Sequence, residues 1–276
     1  MTHGGGRTRP GAPPGPAGRV PREQRYLTWL YWAAAAGLVP WIIYLYFSQT
    51  PSAVTHKVHV LAVGLLLAML LGVLLTAWTY RRRWSLAVMV AAFTGTATVI
   101  TAWFRALTRS AASNWAGSLP AFLTVAAVIV GLCGYAAWRE LSAGRDRVRW
   151  LPPALAVAAL ALVPSLVIVL TVVPPVQIAH HLPLAWTGLD VLELIALAAT
   201  GLALHRRSAA TAVPAAITGT LLLCDAWINV IPTVGMARAE AVVLAFVEVP
   251  LAALSFWVGA WTARHGARSP DAGAPG

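Results

Sequence analysis

Charged side chains are scarce in this chain. Of its 276 residues only 11% are charged, whereas 59% are hydrophobic. Soluble domains carry roughly 25% charged residues, so this chain has too little charge to cover a surface that faces water. The composition excludes an ordinary soluble fold and makes a lipid bilayer the expected solvent.

Cysteine and lysine are also scarce. The two cysteines, Cys133 and Cys224, both lie in apolar runs, which excludes a disulfide framework and a zinc site built from cysteines. Lys57 is the one lysine, and the arginines form short clusters between the apolar runs. Because the basic residues do not follow one folded face, the net charge of +11 predicts membrane orientation and no binding of nucleic acid.

Eight apolar runs have the length of about 20 residues that a transmembrane helix needs. Residues 139–150 form the longest connection between them, which is too short to fold as a separate domain. Residues 1–26 are rich in Gly, Pro and Arg, and we expect them and residues 264–276 to be disordered tails. The eight predicted spans are 27–47, 58–80, 84–107, 119–138, 151–173, 184–204, 209–231 and 240–263.

The placement of the basic residues predicts that both termini are cytoplasmic. In that orientation sixteen of the 20 basic residues lie in the inside segments, and the remainder lie outside or near outer helix ends. An excess of Arg and Lys in cytoplasmic loops is the usual bias of membrane proteins. The four outer residues are Lys57, Arg105, Arg109 and Arg238.

The two halves of the chain match when one is shifted by 124 residues against the other. Each half holds four spans, an even number, so both halves enter the membrane from the same side. The sequence therefore predicts an all-α membrane protein of two parallel four-helix repeats, 27–138 and 151–263, related by a pseudo-two-fold axis along the membrane normal. The matched groups include Leu38-Val39-Pro40 with Leu162-Val163-Pro164, His56 with His180, Gly64 with Gly188, Arg82-Arg83 with Arg206-Arg207, Thr94-Gly95-Thr96 with Thr218-Gly219-Thr220, and Ala102-Trp103 with Ala226-Trp227.

Four of the nine acidic residues lie well inside apolar runs: Asp190, Glu193, Asp225 and Glu248. A charged group there costs about 2.5–3.5 kcal/mol and usually faces the interior of the bundle. Asp190 and Glu193 share a helix face, as do Asp225 and Asn229. At a rise of about 1.5 Å per residue these residues lie in the outer half of the membrane. They are therefore able to line one pocket.

The first half has no acidic residue at the matched positions. If the carboxylates only held helices together, the first half would be expected to need some as well. Several carboxylates close together cannot all ionise without a cation, so the pattern predicts a site for a proton or a small cation. At the positions that match the four carboxylates, the first half has Leu66, Met69, Thr101 and Thr124 (or Val125). At the position that matches Asn229 it has Arg105, which is a candidate partner of the carboxylates.

Three functions are compatible with the sequence. The first is a transport-type protein that binds a proton or cation through Asp190, Glu193, Asp225, Asn229 and Glu248. The second is a metal-dependent membrane enzyme acting on lipid, in which His180 or His181 adds a ligand for a divalent metal. The third is a non-catalytic scaffold or subunit. The sequence has no nucleophile or phosphate-binding motif, which favours a protein that is not an enzyme and has no organic cofactor.

Two short segments carry a resemblance to a known group of proteins. Leu222-Leu223-Cys224-Asp225-Ala226-Trp227, with Thr187-Gly188-Leu189-Asp190-Val191 before it, resembles a motif pair in uncharacterised multipass membrane proteins of actinobacteria. The resemblance implies a bacterial plasma-membrane location and no established activity. That family often has a second Asp where this chain has Asn229. This departure weakens the case for a metal site made of two aspartates.

Overall fold

The structure is a computed structural model of the chain. It describes most of the apolar runs and only part of the remainder. The described residues are 26, 29–30, 32–33, 36–37, 39–40, 54–56, 58–82, 85–107, 118–141, 151–161, 163–164, 167, 177–179, 182–206, 208–230 and 236–265.

Seven α-helices have defined bounds among these residues. A 3₁₀ turn at Ala209–Thr211 leads into the sixth, and the Ser208 side chain accepts a hydrogen bond from the backbone of Ala210 at its start. The helices are α1 Val58–Arg82, α2 Ala87–Leu107, α3 Ser118–Leu141, α4 Leu151–Leu160, α5 Leu182–His205, α6 Ala212–Val230 and α7 Met236–His265.

Six of these helices are long and apolar enough to cross a membrane, all except α4. They fall on six of the eight predicted spans, which confirms a helical chain suited to multiple membrane crossings. The predicted spans 27–47 and 151–173 lie partly outside the described residues, although α4 occupies the start of the second. Most of the predicted tails and of the linker 139–150 also lies outside them.

Large apolar side chains cover much of the outside of the bundle. Leu71, Ile195 and Phe246 are each more than half exposed, an arrangement that suits contact with lipid. Alanines and threonines are frequent in the interior, where Ala91 and Thr98 are fully buried. Small interior residues let membrane helices approach one another closely.

Threonine hydroxyls in the interior find partners within the bundle. Thr101 Oγ1 donates to the carbonyl of Ala97 at 2.7 Å, one turn earlier in its own helix. Two threonine pairs also join helices: Thr76 and Thr94 at 3.1 Å between their hydroxyl oxygens, and Thr200 and Thr218 at 2.9 Å. Such contacts satisfy polar atoms that lipid cannot.

The helix–helix contacts place α2 and α6 against each other, with α3 beside α2 and α7 beside α6. Two tryptophans pack directly on glycines in this arrangement. A Cβ at Gly64 would lie 2.7 Å from Cζ2 of Trp227, and one at Gly188 would lie 2.6 Å from Cζ2 of Trp103. Only glycine admits an indole ring at these distances, and Trp103 Nε1 also donates to the carbonyl of Ala185 at 3.3 Å.

A two-stranded antiparallel sheet precedes α1 and α5. Strand β1, Val54–His56, pairs with strand β2, Gln177–Ala179, so that Thr55 lies opposite Ile178. The all-α prediction omits this sheet, because three-residue strands are too short to produce an alternating pattern. Their β-branched residues, which favour strands, were the available signal.

Candidate intramembrane cation site

Three buried carboxyl groups meet between α5 and α6. Asp190 and Glu193 lie on α5, Asp225 lies on α6, and the two helices pack together. One oxygen from each group lies within 4.8 Å of the others. The three side chains are only 4%, 2% and 5% exposed, respectively, so the group is enclosed by protein.

Glu248 brings a fourth carboxyl group to the same place. It lies on α7, which packs on α6, and its side chain is half-buried. The Asp225 carboxyl lies within hydrogen-bonding reach of the Glu248 carboxyl and of the Asn229 side chain. We call Asp190, Glu193, Asp225 and Glu248 the acidic cluster.

Each member of the acidic cluster has a buried oxygen without a hydrogen-bond partner. These atoms are Asp190 Oδ2, Glu193 Oε1, Asp225 Oδ1 and Glu248 Oε2. Most buried polar side-chain atoms in proteins are paired, and an unpaired one costs about 1–3 kcal/mol or more when charged. These oxygens are therefore available to accept a proton or to coordinate a cation.

The surroundings of the acidic cluster are apolar. Leu189 and Cys224 immediately precede Asp190 and Asp225, and both belong to a hydrophobic cluster with Ile100 and Phe104 of α2. Attraction and repulsion between charges are stronger in such surroundings than in water. A cation held there would be bound strongly by the carboxylates, and carboxylates without one would repel each other.

Three other residues are predicted from the sequence to take part in the site: Arg105, His180 and His181. The Arg105 guanidinium lies over the ring of Phe122 on α3, 4.0 Å from its centroid, and a pairing of Arg105 with the carboxylates stays a prediction. His180 and His181, the candidate metal ligands, lie outside the described residues. Their contribution to a metal site also stays a prediction.

The matched positions of the first half are filled differently. Leu66 and Met69 are fully buried in a hydrophobic core with residues of α2 and α3. At the third position, Thr101 directs its hydroxyl to its own helix, and Thr124 does the same toward Pro120 at 2.9 Å. The described helices of the first half thus pack without carboxylates at these positions.

Sequence reasoning missed two features that border the acidic cluster. Gly188, where Trp103 packs, lies two residues before Asp190, and Cys224 lies near enough to Glu193 and Asp225 to be influenced by their charge. The recurrence of Gly and Trp in the shifted halves was a signal for the first contact. Cys224 directly precedes Asp225 in the sequence, whereas its closeness to Glu193 depends on how α5 and α6 pack, which a uniformly apolar run does not indicate.

The chain matches no family model, no curated protein and no solved structure. Its function is therefore inferred from the acidic cluster and the helices that carry it.

Proposed function

We propose that this protein is a transport-type membrane protein whose acidic cluster binds a proton or a cation. The observation that carries the proposal is the set of four neighbouring carboxyl groups with buried, unpartnered oxygens. Carboxylates in apolar surroundings repel each other and lose hydration, and a bound proton or cation relieves both costs. Ion-binding carboxylates within membrane helices commonly mark the path of the ion.

The scaffold alternative is less well supported by the same contacts. Polar residues that hold helices together pair with each other, as Thr76 does with Thr94 and Thr200 with Thr218. The acidic cluster contains one such contact, between Asp225 and Glu248, but every member also keeps an oxygen without a partner. The first half also packs its helices with Leu66 and Met69 at the matched positions.

The proposal includes eight spans arranged as two parallel four-helix repeats. Three pairs of contacts support it, each related by the shift of 124 residues: the two threonine pairs, the two Gly–Trp contacts and the strand ladder. In the ladder, the shift of 124 residues matches Val54 with Ile178 and Thr55 with Ala179. The pair Val54–Ala179 is therefore matched with the pair Thr55–Ile178. An antiparallel ladder centred on a two-fold axis has this property.

The proposed location is the bacterial plasma membrane with both termini cytoplasmic. The arginine-rich inside segments support the orientation, and the resemblance to actinobacterial membrane proteins supports the type of membrane. In this orientation the acidic cluster lies in the outer half of the bilayer, nearer to the cell exterior.

Flux measurements on the full chain in liposomes test the proposal. We expect proton or cation flux across these liposomes, and a reduction of at least about tenfold in Asp225→Asn and Glu248→Gln, because each variant removes a charge that the ion needs. Glu140→Gln is the matched control, since it removes an acidic residue at the end of α3 and leaves the acidic cluster intact. Equal flux in the wild type and in both cluster variants contradicts the proposal.

A further inference from the structure

We infer that the acidic cluster is a site for one divalent cation that prefers oxygen ligands, with Ca²⁺ or Mn²⁺ favoured over Mg²⁺. The inference rests on the proposed function and names the class of ion. It extends that function from an unspecified proton or cation to a defined coordination chemistry.

The spacing of the oxygens fits a single ion. Asp190, Glu193 and Asp225 each offer one oxygen, and the three oxygens lie within 4.8 Å of one another. Calcium–oxygen distances are about 2.3–2.6 Å, so two oxygens on opposite sides of one ion are up to roughly 5 Å apart. One ion is therefore able to contact all three groups without a large movement of α5 or α6.

The unpartnered oxygens provide a second, independent observation. Closeness alone would be satisfied by carboxyl groups that hydrogen-bond to neighbouring helices. Here Asp190, Glu193 and Asp225 are each more than nine-tenths buried and each retains an oxygen with no hydrogen-bond partner. Carboxyl groups that both lie close together and keep buried oxygens without partners have the donors that a cation needs.

The charge of the acidic cluster favours two positive charges over one. A monovalent ion would neutralise a single carboxylate and leave others to repel each other in apolar surroundings. A divalent ion balances two of them at once. Glu248 stands beside the three ligands, and its carboxyl lies within hydrogen-bonding reach of that of Asp225.

The chemistry of the donors selects among divalent ions. Within the part of the chain that the structure describes, the converging group contains carboxylates and no histidine or cysteine. Oxygen ligands suit Ca²⁺, Mg²⁺ and Mn²⁺, whereas Zn²⁺ and Cu²⁺ favour nitrogen and sulfur. Mg²⁺ usually keeps several water molecules, and the deep burial of Asp190, Glu193 and Asp225 opposes that.

Direct binding to the full chain in detergent micelles tests the inference. We expect about one Mn²⁺ per chain by electron paramagnetic resonance, displaced by Ca²⁺ more readily than by Mg²⁺. Glu193→Gln and Asp225→Asn should each weaken Mn²⁺ binding by at least tenfold, and Glu140→Gln should leave it unchanged. Wild-type protein that binds no Mn²⁺ or Ca²⁺, or cluster variants that bind as well as the wild type, overturn the inference.

Thermal unfolding of the wild type provides a measurement that needs no variant. An ion that binds the folded protein raises its melting temperature as the ion concentration increases, so Ca²⁺ and Mn²⁺ should raise it more than Mg²⁺ at equal ionic strength. An equal effect of all three ions overturns the preference.

The outcomes separate this inference from the proposed function. Absence of divalent binding together with flux that Asp225→Asn abolishes overturns the divalent site and leaves a proton or monovalent ion as the substrate. Divalent binding without any flux supports the site and overturns transport. Absence of both overturns both.

Discussion

Glu193 and Met69 are matched residues with opposite chemistry in similarly buried positions. Met69 is fully buried and Glu193 is 2% exposed, yet one packs among apolar neighbours and the other retains an unpartnered oxygen. A buried carboxylate without a partner lowers the stability of the fold. The cost of burying Glu193 therefore supports the proposal that it binds an ion.

Exchange of these two residues tests that conclusion at the residue scale. We expect Glu193→Met to leave the free energy of unfolding unchanged or to raise it by about 1–4 kcal/mol, and to abolish Mn²⁺ binding. Met69→Glu should lower stability by about 3 kcal/mol or more, because it buries a carboxylate among apolar residues. Chemical unfolding in micelles measures both. Loss of folding in Glu193→Met would instead support the scaffold alternative.

The sequence predicted that the site residues lie at similar depths in the membrane. It did not predict that their carboxyl groups converge. Depth and helix face follow from the rise and the turn of a helix, so Asp190, Glu193 and Asp225 were predicted to be able to meet. Whether they do depends on the rotation of each helix about its axis, which uniformly apolar runs leave undetermined. The contacts of α5 and α6 with their neighbours determine that rotation.

At the scale of the elements, the two Gly–Trp contacts hold helices of one half against helices of the other. Trp103 of α2 packs on Gly188 of α5, and Trp227 of α6 packs on Gly64 of α1. Gly188 and Trp227 each lie two residues from a member of the acidic cluster. These contacts therefore position the two helices that carry the buried carboxylates.

Alanine substitutions at the glycines test this role. We expect Gly64→Ala and Gly188→Ala each to lower the free energy of unfolding by about 1–3 kcal/mol, because the new Cβ would overlap an indole ring. Gly131→Ala is the control, since nothing lies within 4 Å of a Cβ at that position in α3. Thermal unfolding in micelles compares the three. A loss of stability in Gly131→Ala equal to that of the other two would contradict the packing argument.

The bounds of the elements were more predictable than the contacts between them. The predicted spans 58–80, 84–107 and 184–204 lie within a few residues of α1, α2 and α5, because the thickness of the bilayer fixes the length of an apolar run. The paired strands were missed because their partners are far apart in the sequence. Pairing of that kind depends on how the helices assemble.

At the scale of the whole molecule, the two proposed repeats contact each other at several places. α1 packs on α4, α2 packs on α6, and β1 pairs with β2. Each of these contacts joins the first half to the second. The halves are therefore held together by noncovalent contacts in addition to the connection along the chain.

Co-expression of separated halves tests this arrangement. We expect fragments 1–143 and 144–276 to purify together through a tag on either one and to bind Mn²⁺ as the intact chain does, because the acidic cluster lies entirely in the second fragment and its position depends on contacts with the first. The second fragment expressed alone is the control and should bind Mn²⁺ at least tenfold more weakly. Fragments that do not associate would contradict the proposed interface.

The ladder between β1 and β2 also bears on how such a chain arose. Two pairs of the ladder, Val54–Ala179 and Thr55–Ile178, are interchanged by the shift of 124 residues. Two identical subunits in a symmetric dimer contact each other in this way. The ladder is thus consistent with an ancestral homodimer whose gene was duplicated and fused. In this proposal each half changed separately after fusion, so that the second half carries the carboxylates while the first keeps a core of packed apolar side chains.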